Sequence, residues 1–243
     1  MQSWGLTDPG CVRKQNQDAY RMEHLDRNTL LCVVCDGMGG AKSGNIASTL
    51  AVDVFVDEIR RSCKPVMDQD MIDQMLRSAV KLANFTVFDQ AAQFEEFAGM
   101  GTTLVAVLIR GKKATVVNVG DSRAYGIDAG GIQQITRDHS LVQMMVDRGE
   151  LTPEVAKSYP GRNFITRAIG TEPIVMCDIY HHNVSRGDFL LLCSDGLSNV
   201  MDDQEILFEV VHGVHKQNCC KRLLKIAKNR GAPDNVTSIL ILV

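Results

Sequence analysis

The sequence predicts an α+β fold, a sandwich of antiparallel sheets with helices packed on the outer faces. Short runs rich in Val, Ile, Leu and Cys are each bounded by Gly, Asp or Asn, which marks strands. Two connections between such runs are too brief to hold a crossover helix, which requires antiparallel pairing. Helical periodicity is confined to separate long blocks, so helices and strands do not alternate as they would in a doubly wound parallel sheet.

In chain order, strands are expected at residues 30–35, 102–109, 114–119, 123–127, 188–193 and 236–243. The connections 110–112 and 120–122 imply that the second, third and fourth of these form one antiparallel meander. A first helix carries Ile46, Leu50, Val54 and Ile59, its stripe widened by Ala47, Ala51 and Phe55. A second carries Ile72, Met75, Leu76, Ala79, Ala83 and Val87, and shorter helical patterns cover 140–148, 203–211 and 219–228. No repeat, linker or charge block divides the chain, so one domain over 1–243 is expected.

With 243 residues, 45% of them apolar, the chain can bury a substantial core. A net charge of -3 leaves no basic footprint for nucleic acid. No apolar run approaches the roughly 20 residues that span a bilayer, and the first ten residues lack a charged head followed by an apolar stretch. A cytoplasmic protein without membrane contact is therefore expected. Of the eight cysteines, Cys32 and Cys35 have the CxxC interval but no second pair to complete a zinc site, and Cys219 and Cys220 are neighbours in a helical pattern. All eight read as reduced structural thiols.

The most informative pattern is where aspartates fall. Asp36 and Asp195 each follow an apolar strand and precede Gly37 and Gly196; Asp121 follows the strand 114–119; Asp234 and Asn235 precede the last strand. Any one of these sites taken alone reads first as a turn, since Asp caps local backbone and Gly takes positive φ. Four together are harder to dismiss, because converging carboxylates repel unless a cation lies between them. Carboxylate and carbonyl oxygens suit Mg²⁺ or Mn²⁺, and no His or Cys ligand set points to zinc. The glycine-rich stretch 37–44 lacks the Gly-Lys-Ser/Thr ending of a nucleotide loop; its glycines let backbone approach a metal or substrate closely.

Together these residues resemble the metal-dependent protein phosphatases of the 2C type (the PPM family), in their bacterial form. The resemblance runs almost end to end through Thr7-Asp8-Pro9-Gly10, Arg13, Asn16-Gln17-Asp18, Asp36-Gly37-Met38-Gly39-Gly40, Gly101-Thr102-Thr103 and Gly120-Asp121-Ser122-Arg123. It continues through Thr136-Arg137-Asp138-His139-Ser140, Thr166-Arg167-Ala168-Ile169-Gly170, Ser194-Asp195-Gly196-Leu197 and Asp234-Asn235-Val236-Thr237.

The resemblance implies an α-β-β-α sandwich with a cleft at one edge, and hydrolysis of phosphoserine and phosphothreonine in proteins. It implies two Mn²⁺ or Mg²⁺ ions: Asp36 bridging both, the Gly37 carbonyl on one, Asp195 and Asp234 on the other, and Asp121 with Asp195 holding a looser third. Asp18 matches a residue that holds metal-bound water, with Gln17 beside it, and Arg13 matches the guanidinium that grips substrate phosphate. A mobile flap is expected over 137–165. Cys35 and Cys193 lack the Cys-x5-Arg loop of a thiol phosphatase and read as core. His139 is open between a general acid and a local capping or packing residue.

The chain departs from the pattern at Gln17, where many members carry Glu, and near Ala41 and Asn45, where bacterial members commonly carry His and Glu. Gln17 keeps an oxygen acceptor without the charge. The expected partners are phosphorylated proteins, substrates of a Ser/Thr kinase, and the chain is expected to be a monomer. The alternative is a catalytically silent metal- or phosphopeptide-binding module.

Overall fold

Residues 29–35 are buried without a break, which a strand permits only if both of its faces are covered. Leu31, Val33 and Cys35 point into one apolar cluster and Leu30, Cys32 and Val34 into another. The same division recurs at Leu104, Ala106 and Leu108 against Val105, Val107 and Ile109. On the far side of the molecule, Leu191 and Leu240 face a third cluster while Leu190, Leu192, Ile239 and Ile241 face the second. The second cluster is thus the seam between two sheets, and the other two lie under helices. Each fully buried Leu, Ile or Val stabilises this arrangement by about 1.5–3 kcal/mol.

The computed structural model describes residues 1–243 apart from the side chains of residues 40–42. One sheet has the order β1 (Gln2–Asp8), β11 (Val236–Leu242), β10 (Phe189–Cys193), β7 (Arg123–Asp128), β8 (Gly131–Gln134). The other runs β2 (Asp18–Asp26), β3 (Thr29–Met38), β5 (Leu104–Arg110), β6 (Lys113–Val119), β9 (Asp178–Asn183), with β4 (Gly101–Thr102) paired to the end of β3. The strand pairs are antiparallel. Helices α1 (Gly40–Ser62) and α2 (Gln69–Gln93) cover the second sheet; α6 (Asp203–His212) and α7 (Cys219–Asn229) cover the first. Short helices α3 (Leu141–Asp147), α4 (Pro153–Ala156) and α5 (Asp195–Ser198) lie in connections. The expected α-β-β-α sandwich is present.

One expectation fails. Residues 123–127 do not continue the meander: β6 pairs with β5 and β9, whereas β7 lies between β10 and β8 in the opposite sheet. The connection 120–122 crosses between sheets because Gly120 adopts φ +106°, and a Cβ there would sit 2.6 Å from the Thr103 side chain. Asp121 is carried on that crossing.

The topology also explains why distant aspartates meet. β3 and β6 each pair antiparallel with β5, so they run the same way and end at the same edge. β10 and β11 are antiparallel neighbours, so the end of one adjoins the start of the other. The aspartates at these four places face one side of the sandwich.

Candidate metal centre

A cleft of about 660 Å³ opens at that edge, lined by Asp36, Asp121, Asp195 and Asp234 together with Arg13, Gln17 and Gly37. Every residue expected at the metal or phosphate site therefore borders one space, except Asp18, which lies buried behind it. Asp18 sits directly across the β2–β3 ladder from Asp36. The Asp18 Oδ2 accepts hydrogen bonds from Ser194 Oγ at 2.8 Å and Thr237 Oγ1 at 2.6 Å. Thr237 is held in turn by Thr7, and Thr7 by Asn16. Ser194, Thr237 and Thr7 fall within the segments that carry the resemblance, but nothing in the sequence assigned their hydroxyls a role.

Oδ1 of Asp18 and Oδ1 of Asp195 are buried without a hydrogen-bond partner. A buried carboxylate oxygen left so costs free energy unless a cation or solvent meets it. The electrostatics agree. Burial, followed by the charges of Asp18, Asp195, Asp121 and Asp234, pushes Asp36 well above the ordinary carboxylate range. Burial and the neighbouring Asp195 and Asp138 push Asp121 up to about 8, with Arg123 opposing. Asp18 is pushed up to about 7, chiefly by burial, against the two hydroxyl hydrogen bonds. Burial and the Asp234 charge raise Asp195. Hard oxygen donors that repel one another around a shared cleft fit a divalent cation. Among the described residues, no three His, Cys, Asp or Glu side chains surround a single point closely enough to form a finished cage.

Arg13 lies in an exposed loop and clasps Asp234 at two points, Nε to Oδ1 at 3.0 Å and Nη2 to Oδ2 at 2.8 Å. Asn235 anchors that loop: its Nδ2 donates to the Pro9 and Gln15 carbonyls, and its Oδ1 accepts the Gln17 N–H at 2.8 Å. The Gln17 carbonyl accepts from Gly37 N–H and Ser48 Oγ, fixing the loop against β3 and α1. Gly37 is required by this closeness, since a Cβ there would lie 2.0 Å from the Gly44 carbonyl oxygen. The departure noted at Ala41 lies outside the described side chains, and Asn45 is exposed.

Cys35 and Cys193 are buried, and burial pushes the Cys193 thiol up to about 12 and the Cys35 thiol well above its ordinary value. Neither supplies a thiolate nucleophile near neutral pH. His139 is buried away from the cleft; Ser140, not His139, caps α3 by accepting the Gln143 N–H at 3.3 Å.

Comparison with known proteins follows the same lines. The sequence profile described as Protein phosphatase 2C matches residues 12–226. Protein phosphatase PhpP of Streptococcus pneumoniae is 35% identical over 238 residues, 97% of this chain and 95% of the relative. The crystal structure of serine/threonine phosphatase Stp1 from Staphylococcus aureus superposes with a TM-score of 0.93 at 37% identity, covering 100% of this chain and 94% of that one. The catalytic domain of serine threonine protein phosphatase PstP, solved in complex with two manganese ions, superposes at 0.84 with 32% identity over 98% of this chain and 96% of that one. These relatives lend no support to a silent binding module. A cleft of strand-end carboxylates on this sandwich, matched over nearly its whole length by named phosphatases, places the chain in the protein phosphatase 2C family as a protein serine/threonine phosphatase.

Proposed function

We propose that the cleft hydrolyses phosphoserine and phosphothreonine at a centre of two divalent cations, Mn²⁺ or Mg²⁺, with provision for a third. The observation that carries this reading is that four carboxylates from separate strand ends share one cleft with an exposed guanidinium. Asp36 and the Gly37 carbonyl would hold one ion, Asp36 with Asp195 and Asp234 the other, and Asp121 with Asp195 the third. When bound, such a pair of ions lowers the pKa of water and neutralises charge on the transferring phosphoryl group.

The remaining work falls to the chain itself. Arg13 presents a planar fork that suits the oxygens of a phosphate as well as those of Asp234. Asp18 behind the cleft and Gln17 at its border would each offer an oxygen to orient solvent by hydrogen bonding. The flap over 137–165 borders the cleft through Asn163 and Ile165 and would meet the substrate protein. We further read the chain as one domain over 1–243, a cytoplasmic monomer that reverses a Ser/Thr kinase; among the described residues no helix is long and apolar enough to cross a membrane.

The test is a Mn²⁺ titration of phosphate release from a phosphothreonine peptide, with and without chelator. Activity that is lost on chelation and returns with Mn²⁺ supports the reading. Full activity in chelator overturns it.

A further inference from the structure

His139 is 6% exposed and does not line the cleft, so it cannot touch a phosphoester there. Its contacts describe a different task. Its backbone N–H donates to the Gly120 carbonyl at 2.9 Å, and its ring Nδ1 accepts the Gly120 N–H at 3.1 Å. The residue directly before Asp121 is therefore gripped on both of its polar groups by one side chain and its own backbone. Asn118 Nδ2 adds a third hold, donating to the Gly120 carbonyl at 3.1 Å and to the Arg137 carbonyl at 3.2 Å.

The same histidine lies between the two feet of the segment 137–165. Its carbonyl accepts the Thr166 N–H at 2.7 Å, and next to it Leu141 N–H donates to the Phe164 carbonyl at 2.8 Å while Ser140 bridges Ile165. Nδ1 accepts from Gly120, and Nε2 lies 3.2 Å from both Asp178 Oδ2 and Arg167 Nη1. Asp178 also takes Arg167 Nη1 at 3.0 Å, just beyond the second foot. Burial holds the imidazole below its ordinary pKa, which keeps Nδ1 an acceptor.

We propose that His139 is a positioning residue that joins the flap to Asp121: its ring sets the Gly120–Asp121 peptide, its backbone sets both feet of the flap, and the two are placed as one unit. The proposal rests on reading Asp121 as a metal ligand. A histidine that merely filled core volume would stabilise the fold without linking metal affinity to substrate choice.

The experiment compares His139→Ala, His139→Asn and His139→Gln with Asp121→Asn in the full chain, measuring Mn²⁺ binding by calorimetry, KM for a phosphothreonine peptide and for a small aryl phosphate, and Tm. Asn can offer its Oδ1 where Nδ1 stood, and Gln cannot reach that place by the same path. His139→Ala and His139→Gln should weaken the looser Mn²⁺ step by about 10-fold or more, the scale of outer contacts at metal sites. They should also raise KM for the peptide more than for the aryl phosphate, and His139→Asn should recover the Mn²⁺ step. If Asp121→Asn removes that step while the histidine variants keep native binding and a native KM ratio, with only Tm lowered, the proposal is overturned. If Asp121→Asn leaves the step intact, the ligand reading of Asp121 fails instead, and the joining role fails with it. Should His139→Ala not fold, equal Mn²⁺ binding by the Asn and Gln variants overturns the proposal.

Discussion

Arg13 and Asp234, 221 positions apart, meet in a two-point contact of 3.0 and 2.8 Å. On the proposed reading, a cation ligated by Asp234 would need an oxygen that the guanidinium also holds, so metal loading would loosen Arg13 from its carboxylate. The freed fork would then be available to phosphate. Arg13→Ala should lower kcat/KM for a phosphothreonine peptide by about 10 to 100-fold, the worth of hydrogen bonds to a charged group. Mn²⁺ affinity should be unchanged or tighter, because a competitor for Asp234 is gone. Steady-state kinetics with calorimetry check both; unchanged KM and kcat would remove Arg13 from the phosphate site.

The carboxylates themselves are destabilising neighbours in the absence of a cation. Asp36→Asn, Asp195→Asn and Asp234→Asn each remove ligand charge at nearly constant volume, so metal-dependent turnover should be largely lost. The fold should survive, and for Asp36 and Asp195, whose charged forms are disfavoured by burial and mutual repulsion, Tm in chelator should hold or rise. Circular dichroism melts and activity at saturating Mn²⁺ test this. Near-normal turnover in all three variants would refute the assignment.

A pH dependence follows from the same crowding. Asp18 and Asp121 are raised from 3.8 to about 7 and about 8 in the folded chain. A carboxylate whose folded pKa is raised contributes stability that is present below the unfolded value and lost as pH climbs through the folded one. In chelator, Tm should therefore fall between about pH 4 and pH 8. Saturating Mn²⁺ should reverse the fall, since a ligand at 100 times its Kd stabilises by about 2.7 kcal/mol. A chelated Tm that rises across this window would contradict the charge crowding.

The strands legible in the sequence are those with two apolar faces, and the four that were missed are the sheet edges: β1, β8, β2 and β9. Edge strands need cover on fewer sides, so β2 carries Arg21, Glu23 and Asp26, and β9 carries His181 and His182. Without a continuous apolar run they look like loops. The sheet-crossing at Gly120 was missed because a three-residue connection reads as a hairpin unless the clash with Thr103 is known. In the site, Asp36, Asp121, Asp195 and Asp234 were legible from their strand-end positions, and Asp18 only through the resemblance. The roles of Ser194, just past β10, and Thr237, in β11, were not legible, because a hydroxyl declares a role only once the carboxylate it serves is seen to be buried.

Gln17 is where the chain departs from many of its relatives, and its backbone is fixed on both sides by Asn235 and Gly37. Gln17 borders the cleft, and Glu matches Gln in size, so it can take its place. Gln17→Glu should add negative charge beside the cations and lower the Mn²⁺ concentration for half-maximal activity by up to about 10-fold. An identical titration curve would show that the position has no bearing on metal use.

The flap offers a test of where substrate choice resides. Asn163 and Ile165 at its second foot border the cleft, and the backbone from 164 to 166 is pinned by Leu141, Ser140 and His139, while the loop 150–162 carries the exposed Val155. On the proposed reading, a small aryl phosphate would need only the carboxylate edge and Arg13, whereas a phosphoprotein would also lie against whatever surrounds the cleft. Replacing 150–162 with a loop of equal length and different sequence, with both feet kept, should change KM for phosphopeptides by several-fold. The aryl phosphate should respond little, because the pinned feet keep the cleft wall in place. Parallel kcat/KM measurements on several phosphothreonine peptides and one aryl phosphate decide the matter; equal effects on both substrate classes would mean that the loop supports the catalytic edge rather than selecting among proteins.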